Sequence, residues 1–146
     1  MTISPTIRFH FLKKISLEDR RHLKATIARL FKKEGKTLTE LNYIFVSDAR
    51  LLEINRQFLQ HDFYTDIITF PLSSPGQPIS GEIYISVDRV RENAREFGYP
   101  IKEELLRVIF HGALHLCGHG DKTPAQERKM RQLEEKYLDL FHVKQK

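Results

Sequence analysis

Histidine and aspartate side chains are concentrated in one short stretch, HGALHLCGHGD, at residues 111–121. His111 and His115 lie four positions apart, so on a helix their imidazoles project from one face, at a spacing that suits two ligands of one ion. Gly118 can adopt the left-handed conformation that ends the helix, reverses the chain and brings Asp121 back. The pattern predicts one Zn²⁺ ion held by His111, His115 and Asp121, with the fourth tetrahedral position open for water, as in catalytic zinc sites.

The two histidines alone are weak evidence for a metal, because seven His in 146 residues give about 0.3 accidental pairs at this spacing. Requiring also a Gly seven positions after the first His, and a His or Asp ten positions after it, lowers that expectation to the order of 0.001. His119 competes with Asp121 for the third place, but the glycines on both sides of it argue against a continuing helix. Cys117 would point about 200° around the helix from His115, and we interpret it as a buried thiol.

The residue after His111 separates this motif from the H-E-x-x-H motif of zinc peptidases, in which a glutamate serves as general base. Gly112 occupies that position here, so peptidase chemistry is disfavoured. A glycine there either leaves room beside the metal for a bulky substrate or allows close helix packing. Asp66 and Glu82, near the ends of predicted strands, could act as a base, orient a ligand or be structural, so the sequence identifies no general base.

Composition and charge limit the other possibilities. A chain of 146 residues, with 40% hydrophobic and 29% charged residues, fits one globular domain, which we expect to span residues 1–146. The apolar runs fall short of the roughly 20 residues of a membrane helix, and the N-terminus lacks the features of a signal peptide, so we expect a cytoplasmic protein without a membrane partner. The formal net charge of +5 weakly favours anionic partners such as nucleic acid.

The elements that must position the motif are short strands and helices in one continuous order. Hydrophobic periodicity and Gly/Pro positions predict strands at residues 7–12, 41–47, 66–72 and 81–86 and helices at residues 17–34, 49–59, 87–97, 101–117 and from 124 onward. Strands separated by helices should pair parallel, whereas the last two, joined by the loop SSPGQPIS, should pair antiparallel. The predicted fold class is α+β: a small mixed sheet of about four strands packed against helices, with a zincin-like metal helix.

Capping residues predict where several helices begin. Ser16 is expected to cap the first helix and Asp48 the second. Thr123, followed by proline and then Gln126, is expected to form a capping box at the last helix. On the second helix, Phe58 is expected on the buried side.

Three segments, TDIITFPL, GEIYISVDRVRENAREFG and LLRVIFHGALHLCGHGD, resemble the YbeY family of bacterial rRNA maturation factors, described as zinc-dependent endoribonucleases. The similarity covers roughly residues 41–140. The family motif ends in a third histidine where this chain has Asp121, and His119 and Gly120 replace the usual tyrosine and aspartate. The family also has an arginine, thought to help with RNA, at the position of Leu59.

The resemblance implies a single-strand-specific endoribonuclease: a zinc-dependent hydrolase that acts on the 3′ region of the small-subunit rRNA precursor, with a part in ribosome quality control. Its partners would be RNA and the ribosome. Phe63 and Tyr64 are candidates for stacking unpaired bases, with packing under a loop as the other interpretation. The anionic Asp121 would make a zinc-activated water less acidic.

Two alternatives remain beside this function. One is a ribosome-associated assembly factor in which the zinc ion is mainly structural. The other is a metallohydrolase of peptides or small molecules, which Gly112 and the positive charge disfavour.

Overall fold

The computed structural model describes residues 4–143. The strands are β1 (Thr6–Phe11), β2 (Leu38–Val46), β3 (Ile67–Pro71) and β4 (Ile79–Ser86), and the helices are α1 (Arg20–Lys33), α2 (Asp48–Leu59), α3 (Val87–Phe97), α4 (Ile101–Leu116) and α5 (Pro124–Val143). The sheet order is β1-β2-β4-β3, with β1, β2 and β4 parallel and β3 antiparallel to β4. The predicted α+β class, with a mixed sheet whose last pair is antiparallel, is confirmed. Within residues 4–143, no helix combines the length and apolar character that crossing a membrane requires.

The sheet buries apolar side chains on both faces. β-branched and aromatic residues suit a pleated, buried surface, and one face of β2 and β4 carries the fully buried Tyr43, Phe45, Ile83 and Ile85. These side chains belong to the main core, to which α1, α4 and α5 contribute. Because successive strand residues point to opposite faces, the smaller cluster under α2 lies on the other face, and it comprises Val46, Leu51, Ile54 and Ile68.

α4 is held against the sheet by two close contacts. The buried hydroxyl of Tyr43 donates a hydrogen bond to the backbone oxygen of Ile109, at 2.9 Å. One turn further along, a Cβ atom on Gly112 would lie 2.9 Å from Ile67 Cδ1 and 2.9 Å from Ile83 Cγ2. The glycine is therefore explained by helix packing, and the room it leaves is filled by isoleucine side chains rather than by a substrate.

The helix starts agree with the sequence where the cap is local. Thr123 Oγ1 accepts a hydrogen bond from the Gln126 amide at 3.1 Å, and Gln126 Oε1 accepts one from the Thr123 amide at 3.4 Å, so the predicted capping box is confirmed. The prediction for α2 was wrong by one residue, because Ser47 is the N-cap and Asp48 begins the helix.

The predicted start of α1 was also wrong, as was the predicted burial of Phe58. α1 begins at Arg20, after Asp19 in a left-handed conformation with φ of 53°. Ser16 does not cap it, because Ile15 and Leu17 are both drawn into the core from a non-helical segment. The side chain of Phe58 is 61% exposed, and its ring makes an edge contact with Phe70 of the sheet.

The Gly112 contact makes a prediction about stability. We expect Gly112→Ala to destabilise the fold by about 1–3 kcal/mol, because the added methyl overpacks the interface, although alanine is favoured over glycine in a helix by about 1 kcal/mol. Urea unfolding measures the change. Lys129→Ala on the exposed face of α5 is the control and should change stability by no more than about 0.5 kcal/mol. A Gly112→Ala protein as stable as the natural chain would contradict the packing explanation.

Candidate metal centre

Three donor atoms converge at the C-terminal end of α4. The Nε2 atoms of His111 and His115 lie 2.9 Å apart, and Asp121 Oδ2 lies 3.4 Å from the first and 3.3 Å from the second. Zinc with bonds of about 2.0–2.1 Å in tetrahedral geometry separates its ligand atoms by about 3.3 Å. The triangle therefore has the size that one ion requires, and these three residues form a group that could hold a metal ion.

The end of α4 brings the third residue back, as the sequence predicts. The Gly118 amide donates to the His115 oxygen at 3.0 Å and the His119 amide donates to the Leu114 oxygen at 3.1 Å, so the last turn closes on itself. Gly118 has a φ of 103°, which a residue with a side chain rarely adopts. The chain thereby reverses, and Asp121 returns to the face of the helix that carries both histidines.

Glu134 of α5 orients the first histidine. Its Oε2 lies 2.7 Å from His111 Nδ1, and its Oε1 accepts from Arg107 Nη1 at 3.3 Å. A carboxylate on the outer nitrogen of a metal-binding histidine fixes the ring so that the other nitrogen faces the ion. Burial works against a charged imidazole at His111, but the hydrogen bond and charge of Glu134, together with the charges of Asp66 and Asp121, outweigh it, and the pKa of His111 is raised. Sequence reasoning missed Glu134, because no local pattern links positions separated by a turn between helices.

The other candidates in the motif lie apart from this group. His119 Nε2 is 2.8 Å from Glu34 Oε1, and the Tyr137 hydroxyl donates to Glu34 Oε2 at 2.6 Å. His119 therefore ties the loop after α4 to α1 and α5. Cys117 is buried, and burial raises the pKa of its thiol to about 12, so it stays protonated, in keeping with its interpretation as a structural thiol.

The cleft around the metal group has two lobes, which share Asp66, His111 and Asp121. The β3 lobe, of about 710 Å³, is also lined by Leu59, His61, Phe63, Thr65, Thr69 and Lys122. The α3 lobe, of about 330 Å³, is also lined by Asn93, Phe97, Tyr99, Arg107 and Arg131. A chain-like substrate can therefore cross the metal group with a part on each side.

Of the two acidic residues that the sequence offers as candidates, one lies in the cleft and the other does not. Asp66 lies where the two lobes meet, and burial raises the pKa of its carboxyl. Glu82 accepts a hydrogen bond from the Tyr84 hydroxyl at 3.2 Å and lines neither lobe. Of the two, Asp66 is the carboxyl that the fold places at the metal group.

Some of the candidate residues in α2 and in the loop that follows it line the cleft, and others do not. Phe63 lines the β3 lobe and is 55% exposed, so the core-packing interpretation was wrong for it. Tyr64 is 52% exposed and stacks beneath the Arg89 guanidinium, 5.0 Å from the ring centroid, outside both lobes. Leu59 lines the β3 lobe, whereas Arg56 is paired with Asp62. No arginine of α2 reaches the cleft.

A buried carboxyl of α4 makes a prediction about pH. Glu104 is 5% exposed, and burial raises the pKa of its carboxyl to about 7, against the opposing charge of Arg107. Below pH of about 4.5 both the folded and unfolded states keep the proton, and above it the unfolded state loses the proton first. Stability conferred by this group is therefore lost between about pH 4.5 and 7.

We expect Glu104→Gln to be more stable than the natural chain at pH 8 by up to about 3 kcal/mol, and to lose that advantage at pH 4.5. Urea unfolding at both pH values, in the presence of a chelator, measures the difference. Glu92→Gln on the exposed side of α3 is the control and should show no such pH dependence. A variant that loses stability relative to the natural chain as the pH rises would contradict the assignment.

Comparison with known proteins shows which family this chain resembles. The family model described as Endoribonuclease YbeY matches residues 10–142. A protein named Endoribonuclease YbeY from Flavobacterium psychrophilum is 55% identical over 112 residues, or 77% of this chain and 79% of that protein. One of the same name from Flavobacterium johnsoniae is 40% identical over 139 residues, or 95% and 99%. A solution structure of a protein from Thermotoga maritima matches with a TM-score of 0.62 at 32% identity, covering 95% of this chain and 93% of that one. This chain therefore belongs to the YbeY family.

Proposed function

We propose that this chain is a zinc-dependent endoribonuclease that cleaves phosphodiester bonds of single-stranded RNA at the group formed by His111, His115 and Asp121. The observation that carries the proposal is the convergence of the three donor atoms, all within 4.8 Å of one another, inside a cleft open on both sides. The name of the family supports RNA as the substrate class, and two imidazole nitrogens with one carboxylate oxygen are donors that zinc prefers.

The side chains around the proposed ion have different roles. When bound, zinc supplies Lewis-acid chemistry, which polarises a phosphoryl oxygen and makes water a stronger nucleophile at neutral pH. Glu134 holds His111 by the 2.7 Å contact to Nδ1, which leaves Nε2 as the nitrogen that would bind the ion. The Asp66 carboxyl, whose pKa burial raises, is positioned to hold a proton where the substrate strand crosses from one lobe to the other.

The β3 lobe suits an unpaired nucleotide. The exposed ring of Phe63 stacks on His61, with 5.0 Å between the ring centroids, and a flat aromatic pair of this kind can stack a base that has left a helix. Lys122, also in this lobe, supplies positive charge for a phosphate. Because Leu59 replaces the family's arginine, the wall between these residues is apolar, and phosphate binding depends on residues outside α2.

The finer proposal concerns the biological substrate. We propose that residues 1–146 act as one metal-dependent hydrolase domain in the cytoplasm, on the 3′ region of the small-subunit rRNA precursor and together with the ribosome, in rRNA maturation and ribosome quality control. The family resemblance and the net charge of +5 support it, because an RNA substrate is a polyanion.

A structural ion is the second candidate, favoured by one observation. Asp121 lies on the loop between α4 and α5, and Glu134 of α5 holds His111, so an ion here would also fasten these two helices together. Under this function the chain would be a ribosome-associated assembly factor, whose stability depends on the ion but which performs no cleavage.

Removal of one ligand separates the two functions. We expect His115→Ala to lose bound zinc, measured by elemental analysis, and to lose cleavage of single-stranded RNA, measured on denaturing gels with zinc and with a chelator. His10→Ala is the control, because it removes an exposed histidine of β1 that lines neither lobe of the cleft. It should keep both zinc and cleavage. Cleavage that survives chelation would falsify the proposed chemistry, and zinc binding without cleavage would favour the assembly factor.

The charge of the third residue makes a prediction about pH. A neutral ligand leaves more positive charge at the ion and makes the attacking water more acidic. We therefore expect Asp121→His to retain zinc and to move the acidic limb of the pH profile of kcat to lower pH. Asp121→Ala is the comparison and should weaken zinc affinity by about 10-fold or more. An unchanged pH profile in zinc-loaded Asp121→His would contradict a role for the carboxylate charge in setting the rate.

A further inference from the structure

The α3 lobe contains two aromatic rings that the proposed chemistry at the ion does not use. Phe97, the last residue of α3, is 59% exposed, and Tyr99, just before α4, is 42% exposed. Their ring centroids lie 6.4 Å apart, and both line the lobe beside His111 and Asp121. Exposed aromatic residues inside a cleft indicate a binding surface, since it costs free energy to leave an apolar ring in contact with water.

The orientation of Tyr99 is set before any ligand binds. The guanidinium carbon of Arg107 lies 5.3 Å from the ring centroid. Arg107 is itself held by Glu134 at 3.3 Å and by Glu135 at 2.9 Å. A ring positioned in this way loses little conformational freedom on binding, so it can serve as a stacking platform.

Two polar side chains that line the lobe form no hydrogen bond or ion pair in the part of the chain that the structure describes. They are the amide of Asn93 and the guanidinium of Arg131, whose charge opposes the rise in the pKa of Glu104 without reaching ion-pair distance. The amide of Asn93 offers two donors and an acceptor oxygen, which match the edge of a nucleobase. Arg131 offers a planar fork of donors, which matches a phosphate.

Charge decides which part of a nucleotide enters the lobe. Asp66, Glu104 and Glu134 line its inner side, and Arg107 is occupied by the glutamates that hold it. The interior therefore offers a phosphate no free cation, whereas an uncharged base needs none. A base therefore suits the interior, and its phosphate suits Arg131, which is exposed on α5.

We infer that the α3 lobe is a nucleobase subsite, in which one unpaired base of an RNA strand packs against the rings of Phe97 and Tyr99, which are inclined at 44° to each other, Asn93 binds its edge and Arg131 binds its phosphate. This inference rests on the proposed function and deepens it. With Phe63 in the β3 lobe, it places a base on each side of the cleaved phosphate. A duplex cannot satisfy both lobes, because its bases are stacked and paired.

Steady-state cleavage of a mixed-sequence octaribonucleotide by zinc-loaded protein tests the subsite. We expect Phe97→Leu and Tyr99→Leu each to raise KM by about 10-fold and to change kcat little, because the rings touch the base and not the metal group. The increase should disappear for octaribonucleotides that are abasic at the position the lobe holds. Phe58→Leu is the matched control, because Phe58 is a 61% exposed aromatic residue that lines neither lobe. Unchanged KM values for both variants, with cleavage intact, would overturn the subsite and leave the endoribonuclease proposal standing.

A second measurement does not depend on cleavage. The chain contains no Trp, so Phe97→Trp introduces a unique fluorophore into the lobe. We expect the octaribonucleotide to quench its emission, and the fully abasic strand of the same length to leave the emission nearly unchanged. Quenching without cleavage would support the subsite while contradicting the proposed catalysis. Equal emission with both strands would overturn the subsite.

Discussion

α4 approaches the sheet so closely at Gly112 that two isoleucine side chains occupy the space of a Cβ atom. Together with the hydrogen bond from Tyr43 to the Ile109 oxygen, this contact fixes the rotation of α4 about its axis and its position along that axis relative to the sheet. A helix with one face pinned presents the residues of its neighbouring face at fixed positions. His111 and His115 lie on that neighbouring face, so the contacts of α4 with the sheet set their positions in the cleft.

The second constraint is a chain of charges between α4 and α5. Arg107 lies within ion-pair distance of Glu104, Glu134 and Glu135, and Glu134 continues the chain to His111. Buried charges are tolerated only when paired, so the helices cannot slide past one another without breaking these pairs. The same arginine lies over Tyr99. One side chain thus couples the orientation of His111 to that of a ring in the α3 lobe.

The sequence predicts those features that depend on local spacing, and it misses those that depend on contacts distant in the chain. The interval between His111 and His115, the reversal at Gly118 and the capping box at Thr123 are all encoded within a few residues. The start of α1 depends instead on Leu17, which the core draws out of the helical path. The contact between His111 and Glu134 joins positions 23 residues apart, and the α3 lobe gathers residues from several elements. Hydrophobic periodicity along the sequence does not predict such contacts.

Contacts on both sides of Asp121 hold the loop after α4. On one side, Gly120 lies so close to the cap of α5 that a Cβ atom there would lie 2.8 Å from Gln126 Oε1. On the other side, His119 contacts Glu34 at 2.8 Å. The pKa of Glu34 is lowered because Tyr137 and His119 form hydrogen bonds with its carboxylate, although burial opposes this. The position of Asp121 beside the two histidines therefore depends on contacts that α1 and α5 supply, and not on the turn at Gly118 alone.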